Sequence, residues 1–323
     1  MAFEAQLPRD RLDDRFFYDP ILHSHPDGLL EPIQFLGKQL KLPLWVSSMT
    51  GGTAMAAKIN HNLARACQEF GMGMGLGSCR SLIDNDDRIS DFDVRSTVGD
   101  NLPLFGNLGI AQVETLIREN KHRAFDDLVN KLRLDGLIVH VNPLQEALQP
   151  EGDHIVNPPI DTLSRLIDVT SCKLIVKEVG QGFGYDSLKA LFKLPLAAID
   201  FGASGGTNFA LLEIMRSQEE DLAKHLAPLA RVGHSADQMV QYSNQISDEL
   251  GDQRLCQEVI ISGGVGNFLD GYYYMRRLKL RSIYGQASAF LKYAMQDYGT
   301  LRRYVKAQSK GLALAKAYLR IKE

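Results

Sequence analysis

The chain has 323 residues, of which 45% are hydrophobic and 23% are charged, and 36 Lys and Arg against 39 Asp and Glu give a formal net charge of −3. This near balance of charge argues against a dedicated nucleic-acid-binding protein. Because the sequence contains no apolar run of about 18 residues and no signal-peptide pattern, we expect no membrane span and a cytoplasmic location. Its four cysteines are far apart and lack metal-ligand spacing, which predicts reduced thiols.

Eight short apolar runs are the strand candidates, and most of them are followed by an amphipathic stretch. In chain order the runs are Pro43–Met49, Gly71–Gly77, Pro103–Gly109, Gly136–Asn142, Lys173–Val179, Ala197–Ala203, Val259–Val265 and Ser282–Ala287. The helical patterns between them include Ala54–Phe70, Ala111–Asn120, Arg123–Leu132, Ile160–Ile167, Ser187–Leu191, Ala236–Leu250 and Leu269–Leu278. Near-continuous apolar strands that alternate with helices indicate a parallel sheet covered by helices, and eight such units indicate an α/β fold of the (β/α)₈ TIM-barrel type. A doubly wound sheet is the alternative, but no Gly-x-Gly-x-x-Gly motif follows the first strand.

We expect residues 1–323 to form one domain, since no repeat, low-complexity tract or shift in composition marks a second one. Within it we expect an irregular N-terminal arm over 1–40, the barrel over 41–290 and C-terminal helices over 291–323. The active site of such a barrel lies at the carboxyl ends of the strands, so the residues that follow each run are the candidates for function.

The fourth run ends in the densest polar cluster of the chain. Because side chains alternate along a strand, His140 and Asn142 are predicted to share one face. A proline then stops the strand, and Gln145 and Glu146 are predicted to follow on the loop. An imidazole, two amides and a carboxylate around one point suit a site that handles a proton and a metal. Glu146 is the best metal ligand, and hard oxygen ligation favours Mg²⁺ shared with a diphosphate over zinc; a solvated loop carboxylate is the alternative.

Two glycine pairs follow the sixth and seventh runs. Gly205-Gly206 and Gly263-Gly264 would let backbone amides approach a ligand closely. Amides at helix N-termini favour phosphate, and the loops after the last strands of a TIM barrel form its usual phosphate site. The alternative is a pair of plain tight turns in which Thr207 or Asn208 caps a helix.

Two cations also stand at strand ends. Lys177 lies inside an apolar strand and needs an anionic or strongly polar partner: the pyrimidine edge of a flavin, a substrate phosphate, a carbonyl as a Schiff base, or a salt bridge with Asp200. Arg80 suits a phosphate, with a surface ion pair as the alternative.

The strand ends together closely resemble the type 2, flavin-dependent isopentenyl-diphosphate isomerases. The matching pieces run in family order from about residue 30 to 295. They are Ser48-Met-Thr-Gly-Gly52, Gly75-Leu-Gly-Ser-Cys-Arg80, Asn107-Leu-Gly109, His140-Val-Asn-Pro-Leu-Gln-Glu146, Gln149-Pro-Glu-Gly-Asp153, Val176-Lys-Glu-Val-Gly180, Gly205-Gly-Thr-Asn208 and Ser262-Gly-Gly264. The His-x-Asn-Pro-x-Gln-Glu and Gln-Pro-Glu-Gly-Asp pieces are highly specific, whereas the glycine pairs are not.

The resemblance implies a cytosolic barrel that isomerises isopentenyl diphosphate to dimethylallyl diphosphate, with reduced FMN, Mg²⁺ and NAD(P)H as the reductant. It implies a homo-tetramer or homo-octamer and no nucleic-acid or membrane partner. The implied flavin-binding residues are Met49, Thr50, Gly51, Ser78, Asn107, Lys177 and Thr207, with Gly264 and Ala287 near the flavin phosphate. Arg80, His140, Asn142 and Gln145 are implied to hold the allylic or homoallylic diphosphate, and Glu146 the metal. Gln145, His140 and Asn142 are the catalytic candidates, with the role of Gln145 open between orienting the substrate and assisting proton removal.

The resemblance is incomplete at two places. The family opens with an Arg-Lys-x-x-His-Ile segment that clamps the substrate diphosphate, whereas Arg9, Arg11 and Arg15 of this chain alternate with acids and do not match it. Either the sequence begins downstream of the natural start, or other cations bind the diphosphate. The run Gly263–Asn267 has glycine where many family members carry a basic residue near the FMN phosphate, so we expect phosphate binding to rest more on backbone amides.

Two other functions stay open at this stage. A flavin-dependent oxidoreductase of the 2-hydroxy-acid type would need a catalytic His and a pair of Arg residues for the substrate carboxylate, whereas the polar cluster here suits a diphosphate and a metal. A catalytically weakened or non-catalytic FMN-binding barrel would follow from the missing clamp.

Overall fold

The computed structural model describes residues 4–28, 30–48 and 55–322. The strands in chain order are β1 (Phe16–Tyr18), β2 (Ile33–Phe35), β3 (Lys38–Leu40), β4 (Leu44–Val46), β5 (Gly73–Gly75), β6 (Leu104–Gly109), β7 (Gly136–Val141), β8 (Lys173–Glu178), β9 (Ala198–Asp200), β10 (Glu258–Ile261), β11 (Arg281–Gln286) and β12 (Leu319–Ile321). Strands β4 to β11 form a closed barrel in which each strand pairs in parallel with the next along the chain, and β11 pairs back with β4. The predicted (β/α)₈ barrel is confirmed, and each of the eight predicted runs contains or overlaps one barrel strand.

Helices surround this barrel. In chain order they are α1 (Ala56–Phe70), α2 (Ser81–Asp84), α3 (Arg95–Val98), α4 (Ile110–Arg118), α5 (Arg123–Leu132), α6 (Pro143–Leu148), α7 (Pro159–Val169), α8 (Tyr185–Phe192), α9 (Phe209–Arg216), α10 (Glu220–Leu226), α11 (Ala236–Leu250), α12 (Phe268–Arg277), α13 (Ser288–Ala294) and α14 (Tyr298–Tyr318). Short 3₁₀ helices cover Arg9–Arg11, Ile89–Asp91, Ala227–Arg231 and Gly251–Gln253. No helix of the described residues is long and apolar enough to cross a membrane.

The N-terminal arm is less irregular than predicted. Strands β2 and β3 form a hairpin whose two turn residues, Leu36 and Gly37, both have positive φ, at 53° and 80°. Strand β1 pairs antiparallel with β12, so Phe16 stands opposite Ile321 and the arm is joined to the C-terminal tail. The pairing of arm and tail was not predicted, because it joins segments about 300 residues apart and local sequence patterns do not reveal it.

An indole fills the amino-terminal half of the barrel interior. Trp45 on β4 is fully buried and stands 6.2 Å, centroid to centroid, from the ring of Phe105 on β6. Gly73 on β5 makes room for it, because a Cβ there would lie 2.4 Å from the Trp45 ring. The apolar plug therefore ends about one residue layer below the carboxyl ends of the strands.

Candidate active site

A layer of polar side chains covers this apolar plug at the carboxyl ends of the strands. Alternation along each strand puts these residues on the same inward faces as the core residues two positions earlier. The layer consists of Ser47, Asn107, His140, Lys177, Asp200 and Ser262, all of them buried except the partly exposed His140. His140 stands beside Lys177 in the register of β7 and β8, and Lys177 stands beside Asp200 in that of β8 and β9.

His140 is oriented by Asn107 on the neighbouring strand. The His140 Nδ1 lies 2.9 Å from the Asn107 Oδ1. Because an amide oxygen only accepts, Nδ1 is the donor, and Nε2 keeps its lone pair. Burial, and after it the Lys177 cation, lowers the pKa of His140 from 6.5 to about 3. His140 is therefore a neutral imidazole around pH 7, with its tautomer fixed by Asn107.

Lys177 has a buried ammonium that donates to a backbone carbonyl. Its Nζ donates to the backbone carbonyl oxygen of Glu178 at 2.7 Å. The salt bridge with Asp200, one of the predicted alternatives, is absent from the described part of the chain. Asp200 instead accepts from the Ser262 hydroxyl, and burial raises the pKa of Asp200 against the opposing effect of Lys177. Lys177 thus keeps N–H donors for a polar ligand at the barrel mouth.

Asn142 links the two polar groups that follow it. Its Nδ2 donates to Gln145 Oε1 at 3.1 Å and to Glu146 Oε1 at 2.9 Å, while its buried Oδ1 has no partner among the described residues. Gln145 and Glu146 were predicted to lie on a loop, and that prediction is wrong. They lie on α6, because Pro143 occupies the first turn of a helix, where its fixed φ is compatible and no N–H is needed.

Glu146 and Arg80 are connected through Asp153. Glu146 Oε2 accepts from the Asp153 backbone N–H at 2.8 Å. Asp153 Oδ2 in turn accepts from Arg80 Nη1 and from Gln112 Nε2, both at 2.8 Å. The Arg80 side chain is 62% exposed, so the ion-pair alternative describes its present contact. Asp153 therefore links Arg80, through its side chain, to the Glu146 carboxylate, through its backbone.

One carboxylate of this network, Glu213 on α9, was not predicted from the sequence. Gln145 Nε2 donates to Glu213 Oε1 at 3.1 Å, and Arg216 lies 3.4 Å from the other oxygen of Glu213. Only 2% of Glu213 is exposed. The available signal was a single acid within the otherwise apolar stretch Phe209–Met215. Glu213 fixes the amide of Gln145, whose nitrogen points to α9 and whose oxygen points to Asn142.

The two glycine loops meet at the barrel mouth. Gly205 has φ 111° and Gly264 has φ 70°, and a Cβ on Gly205 would lie 3.0 Å from the Gly264 Cα. Gly263, with φ 84°, packs so closely that its Cβ would lie 2.0 Å from the Ala203 oxygen. Asn208 caps α9 by accepting from the third residue of the helix, as the tight-turn interpretation predicted, and phosphate binding at these loops stays a prediction. The result is a cradle of exposed backbone at Gly205, Gly206 and Gly264.

The remaining predicted flavin-binding residues are distributed around the same end of the barrel. Ser78 is exposed after β5, Thr207 is exposed beside the loop that follows β8, and Ala287 directly precedes α13. A Cβ on Gly180 would lie 2.1 Å from the Thr207 oxygen, which shows how closely these loops pack. The predicted residues Met49, Thr50 and Gly51 lie outside the described residues.

Comparison with known proteins identifies the family. No family model matches the chain. An isopentenyl-diphosphate delta-isomerase of Rickettsia prowazekii (strain Madrid E) is 32% identical over 280 residues, which cover 87% of this chain and 78% of the relative. The chain belongs to the isopentenyl-diphosphate delta-isomerase family. A second family member, from Mycolicibacterium vanbaalenii, is 39% identical over 180 residues, which cover 56% of this chain and 51% of the relative. The resemblance seen at the strand ends is confirmed.

Solved structures with the same fold bear more distant sequences. The recombinant flavin-binding domain of baker's yeast flavocytochrome b2 superposes with a TM-score of 0.62 over 94% of this chain and 72% of that chain, at 13% sequence identity. A mandelate oxidase mutant superposes with a TM-score of 0.55 over 95% of this chain and 88% of that chain, at 11% identity. At this level of identity the likeness establishes the barrel fold alone.

Proposed function

We propose that this isopentenyl-diphosphate delta-isomerase family member interconverts isopentenyl and dimethylallyl diphosphate, with reduced FMN and Mg²⁺. The observation that carries the proposal is a pair of hydrogen-bonded groups at the ends of the adjacent strands β6 and β7. It contains a neutral His140 fixed by Asn107, and Asn142 bonded to both Gln145 and Glu146. In such a reaction one carbon of the double bond gains a proton and a neighbouring carbon loses one, so no net oxidation occurs.

The barrel mouth fits a flavin mononucleotide in two respects. The cradle formed by Gly205 and Gly264 offers exposed backbone to a phosphate, and an added Cβ at either glycine would press against the backbone of the facing loop. The buried Lys177 ammonium keeps N–H donors for the electron-rich edge of the ring, and the Ser47 hydroxyl is buried without a partner in the described chain. Lys177, Asn107, Ser78 and the two loops would hold the cofactor. FMN, in its reduced form, would supply an electron-rich ring that stabilises positive charge and can take up or return a proton.

The ligands around Glu146 fit a magnesium ion that is shared with a diphosphate. Mg²⁺ prefers hard oxygen atoms and is commonly bound by one or two carboxylates, waters and substrate phosphates. The Glu146 carboxylate and the unpartnered Oδ1 of Asn142 supply such oxygens. No group of three or more His, Cys, Asp or Glu among the described residues could hold a metal by itself, so the diphosphate would complete the site.

The protein groups have separate tasks in this proposal. His140 is neutral and presents Nε2 as an acceptor, so it binds and orients without adding a positive charge beside a cationic transition state. Gln145 is held between Glu213 and Asn142 and orients the substrate or assists proton removal. Arg80 would exchange its contact with Asp153 for the diphosphate.

The test is an anaerobic assay with FMN, dithionite or NADPH, Mg²⁺ and isopentenyl diphosphate, in which dimethylallyl diphosphate is measured. Product should depend on reduced FMN and on Mg²⁺. Glu146→Ala should reduce turnover by at least about 10- to 100-fold, because loss of a group that merely supports a metal ligand already has an effect of that size. Asp168→Ala, which removes an exposed acid of α7 outside the matching motifs, should turn over like the unchanged protein. No product under any of these conditions would refute the proposal.

A 2-hydroxy-acid oxidoreductase is the second candidate, favoured by the fold of the flavocytochrome b2 and mandelate oxidase structures. That reaction needs a His base and a pair of Arg residues for a carboxylate. With its pKa lowered to about 3, His140 is a weak base, and the Arg80 contact is with Asp153. Oxygen consumption with a 2-hydroxy acid, together with inert isopentenyl diphosphate, would decide for this candidate.

We also propose NAD(P)H as the reductant, a homo-tetramer or homo-octamer, and a cytoplasmic location with a single domain. Anaerobic bleaching of the flavin by each pyridine nucleotide tests the reductant, and light scattering of the purified protein tests the assembly.

A further inference from the structure

The loop between β10 and α12, residues 262–267, is half of the proposed phosphate cradle. On one side it packs against the loop that carries Gly205, and on another Gln286 Nε2 donates to the Val265 oxygen at 3.0 Å. Its last two residues have a separate anchor. The Gly266 and Asn267 backbone N–H groups both donate to Asp270 Oδ2, at 3.0 and 3.2 Å. The position of the loop therefore depends on where the Asp270 carboxylate is held.

Asp270 is itself held from the N-terminal arm. Its other oxygen, Oδ1, accepts from Arg15 Nη1 at 2.9 Å, across 255 residues of sequence. The two side chains are 19% and 27% exposed, so water screens this pair only in part. One carboxylate thus joins the arm with one oxygen to the cradle loop with the other.

Arg15 is fixed in this position by contacts of its own. Asp13 accepts from Arg15 Nε and Nη2 at 2.8 and 2.6 Å. The guanidinium carbon lies 5.1 Å from the centroid of the Tyr273 ring and 5.3 Å from that of Phe16. The Arg15 backbone oxygen accepts from Lys322, next to the β1–β12 pair. A bidentate and stacked guanidinium of this kind is pre-organised, and lysine does not reproduce it.

The charges give the pair a second effect. The Asp270 carboxylate stands in the first turn of α12, where it accepts from the same kind of N–H groups that bind a phosphate. Without Arg15 its negative charge would face a phosphate dianion at the neighbouring Gly264 without compensation. Arg15 both fixes the loop and lowers this repulsion.

We propose that Arg15 is a positioning residue for the cofactor phosphate, which acts through Asp270 on loop 262–267. This proposal rests on the proposed function, because it assumes that the phosphate of FMN binds at the two glycine loops. It makes residues 13–16 of the arm part of the phosphate-binding apparatus, although Arg15 touches neither loop directly.

The experiment compares two flavins that differ only in the phosphate. Dissociation constants of FMN and riboflavin are measured by fluorescence quenching for the unchanged protein, Arg15→Met and Arg15→Lys. Arg15→Met should weaken FMN binding about tenfold, within the range for a charge near a helix N-terminus, and should leave riboflavin binding unchanged. Arg15→Lys should recover part of the loss, since it restores the charge without the bidentate contact to Asp13. In an Asp270→Asn background, Arg15→Met should change FMN binding by less than about twofold, because the connection is already broken.

Arg320→Met is the matched control. Arg320 also joins arm and tail, through an ion pair with Asp19 and a guanidinium carbon 5.5 Å from the centroid of the Phe17 ring, without contact to loop 262–267. It should leave FMN binding unchanged, because it removes an arginine that joins arm and tail without disturbing Asp270.

The outcomes distinguish failure of the proposed flavin-dependent function from failure of the proposed role of Arg15. If the unchanged protein binds neither flavin, the proposed function fails and this proposal fails with it. Should FMN bind tenfold or more tighter than riboflavin while Arg15→Met leaves that preference intact, only the role of Arg15 is wrong. Equal losses for FMN and riboflavin, or equal losses in Arg15→Met and Arg320→Met, would mean that Arg15 stabilises the fold and does not position the phosphate loop.

Discussion

Acidification should destabilise this protein through His140 in a way that can be measured and isolated. The pKa of His140 is lowered from 6.5 to about 3 in the folded chain, so between these values the unfolded chain binds a proton that the folded chain does not. Stability from this group is complete above pH 6.5 and is lost as the pH falls toward 3. At about 1.4 kcal/mol per pH unit, lowering the pH from 7 to 5 should cost about 2 kcal/mol of the free energy of unfolding.

The assay is urea unfolding at pH 7 and pH 5 of the unchanged protein and of His140→Gln. The difference in unfolding free energy between the two proteins removes the contributions of the other titrating groups. That difference should shift by about 1–2 kcal/mol between the two pH values, with the unchanged protein losing more. His154→Gln, at an exposed position, is the control for the substitution itself. If the pH change lowers the unfolding free energy of His140→Gln as much as that of His154→Gln, His140 is not a neutral imidazole in the folded protein. Its proposed role as an uncharged acceptor would then be wrong.

Three further predictions concern the cradle, the buried ammonium and the oriented amide. Gly264→Ala should weaken FMN binding about 10- to 100-fold, since its Cβ would lie 2.9 Å from a backbone oxygen of the facing loop. The control is Gly99→Ala, also at positive φ but with no atom within 4 Å of the added Cβ, which should lower stability without changing FMN binding. Equal FMN affinities in the two variants would contradict the proposed cradle. Lys177→Met should weaken binding of FMN and of riboflavin alike, because the ammonium is expected to face the ring, and an effect on FMN alone would reassign Lys177 to the phosphate. Glu213→Gln should lower kcat about tenfold with little change in KM, because the amide of Gln145 loses its charged acceptor, and an unchanged kcat in the anaerobic assay would make Glu213 structural.

The local parts of the site were accessible from the sequence. Asn142, Gln145 and Glu146 are three and four positions apart, so any turn after the strand brings them together, and only the type of turn was wrong. The type was missed because Pro143 was taken as the end of a strand and not also as the first residue of a helix. The eight strands were found for a related reason, since apolar runs record burial on both faces of a parallel sheet.

The contacts that complete the site join residues far apart in the chain. Gln145 and Glu213 are separated by 68 residues, Arg80 and Asp153 by 73, and Arg15 and Asp270 by 255. Each such partner is one acid among the 39 Asp and Glu of the chain, and composition and periodicity do not select it.

The sequence by itself determined the barrel, the order of its strands, the family and the polar groups at each strand end, because these follow from hydrophobic periodicity and from short motifs. The tertiary structure decided how the groups are paired: the tautomer of His140, the direction of the Gln145 amide, the contact of the two glycine loops and the anchoring of one of them by the arm. Closure of the barrel brings strand ends from the whole chain to one mouth, and only there do hydrogen-bond geometry and burial choose among partners that the sequence leaves equivalent.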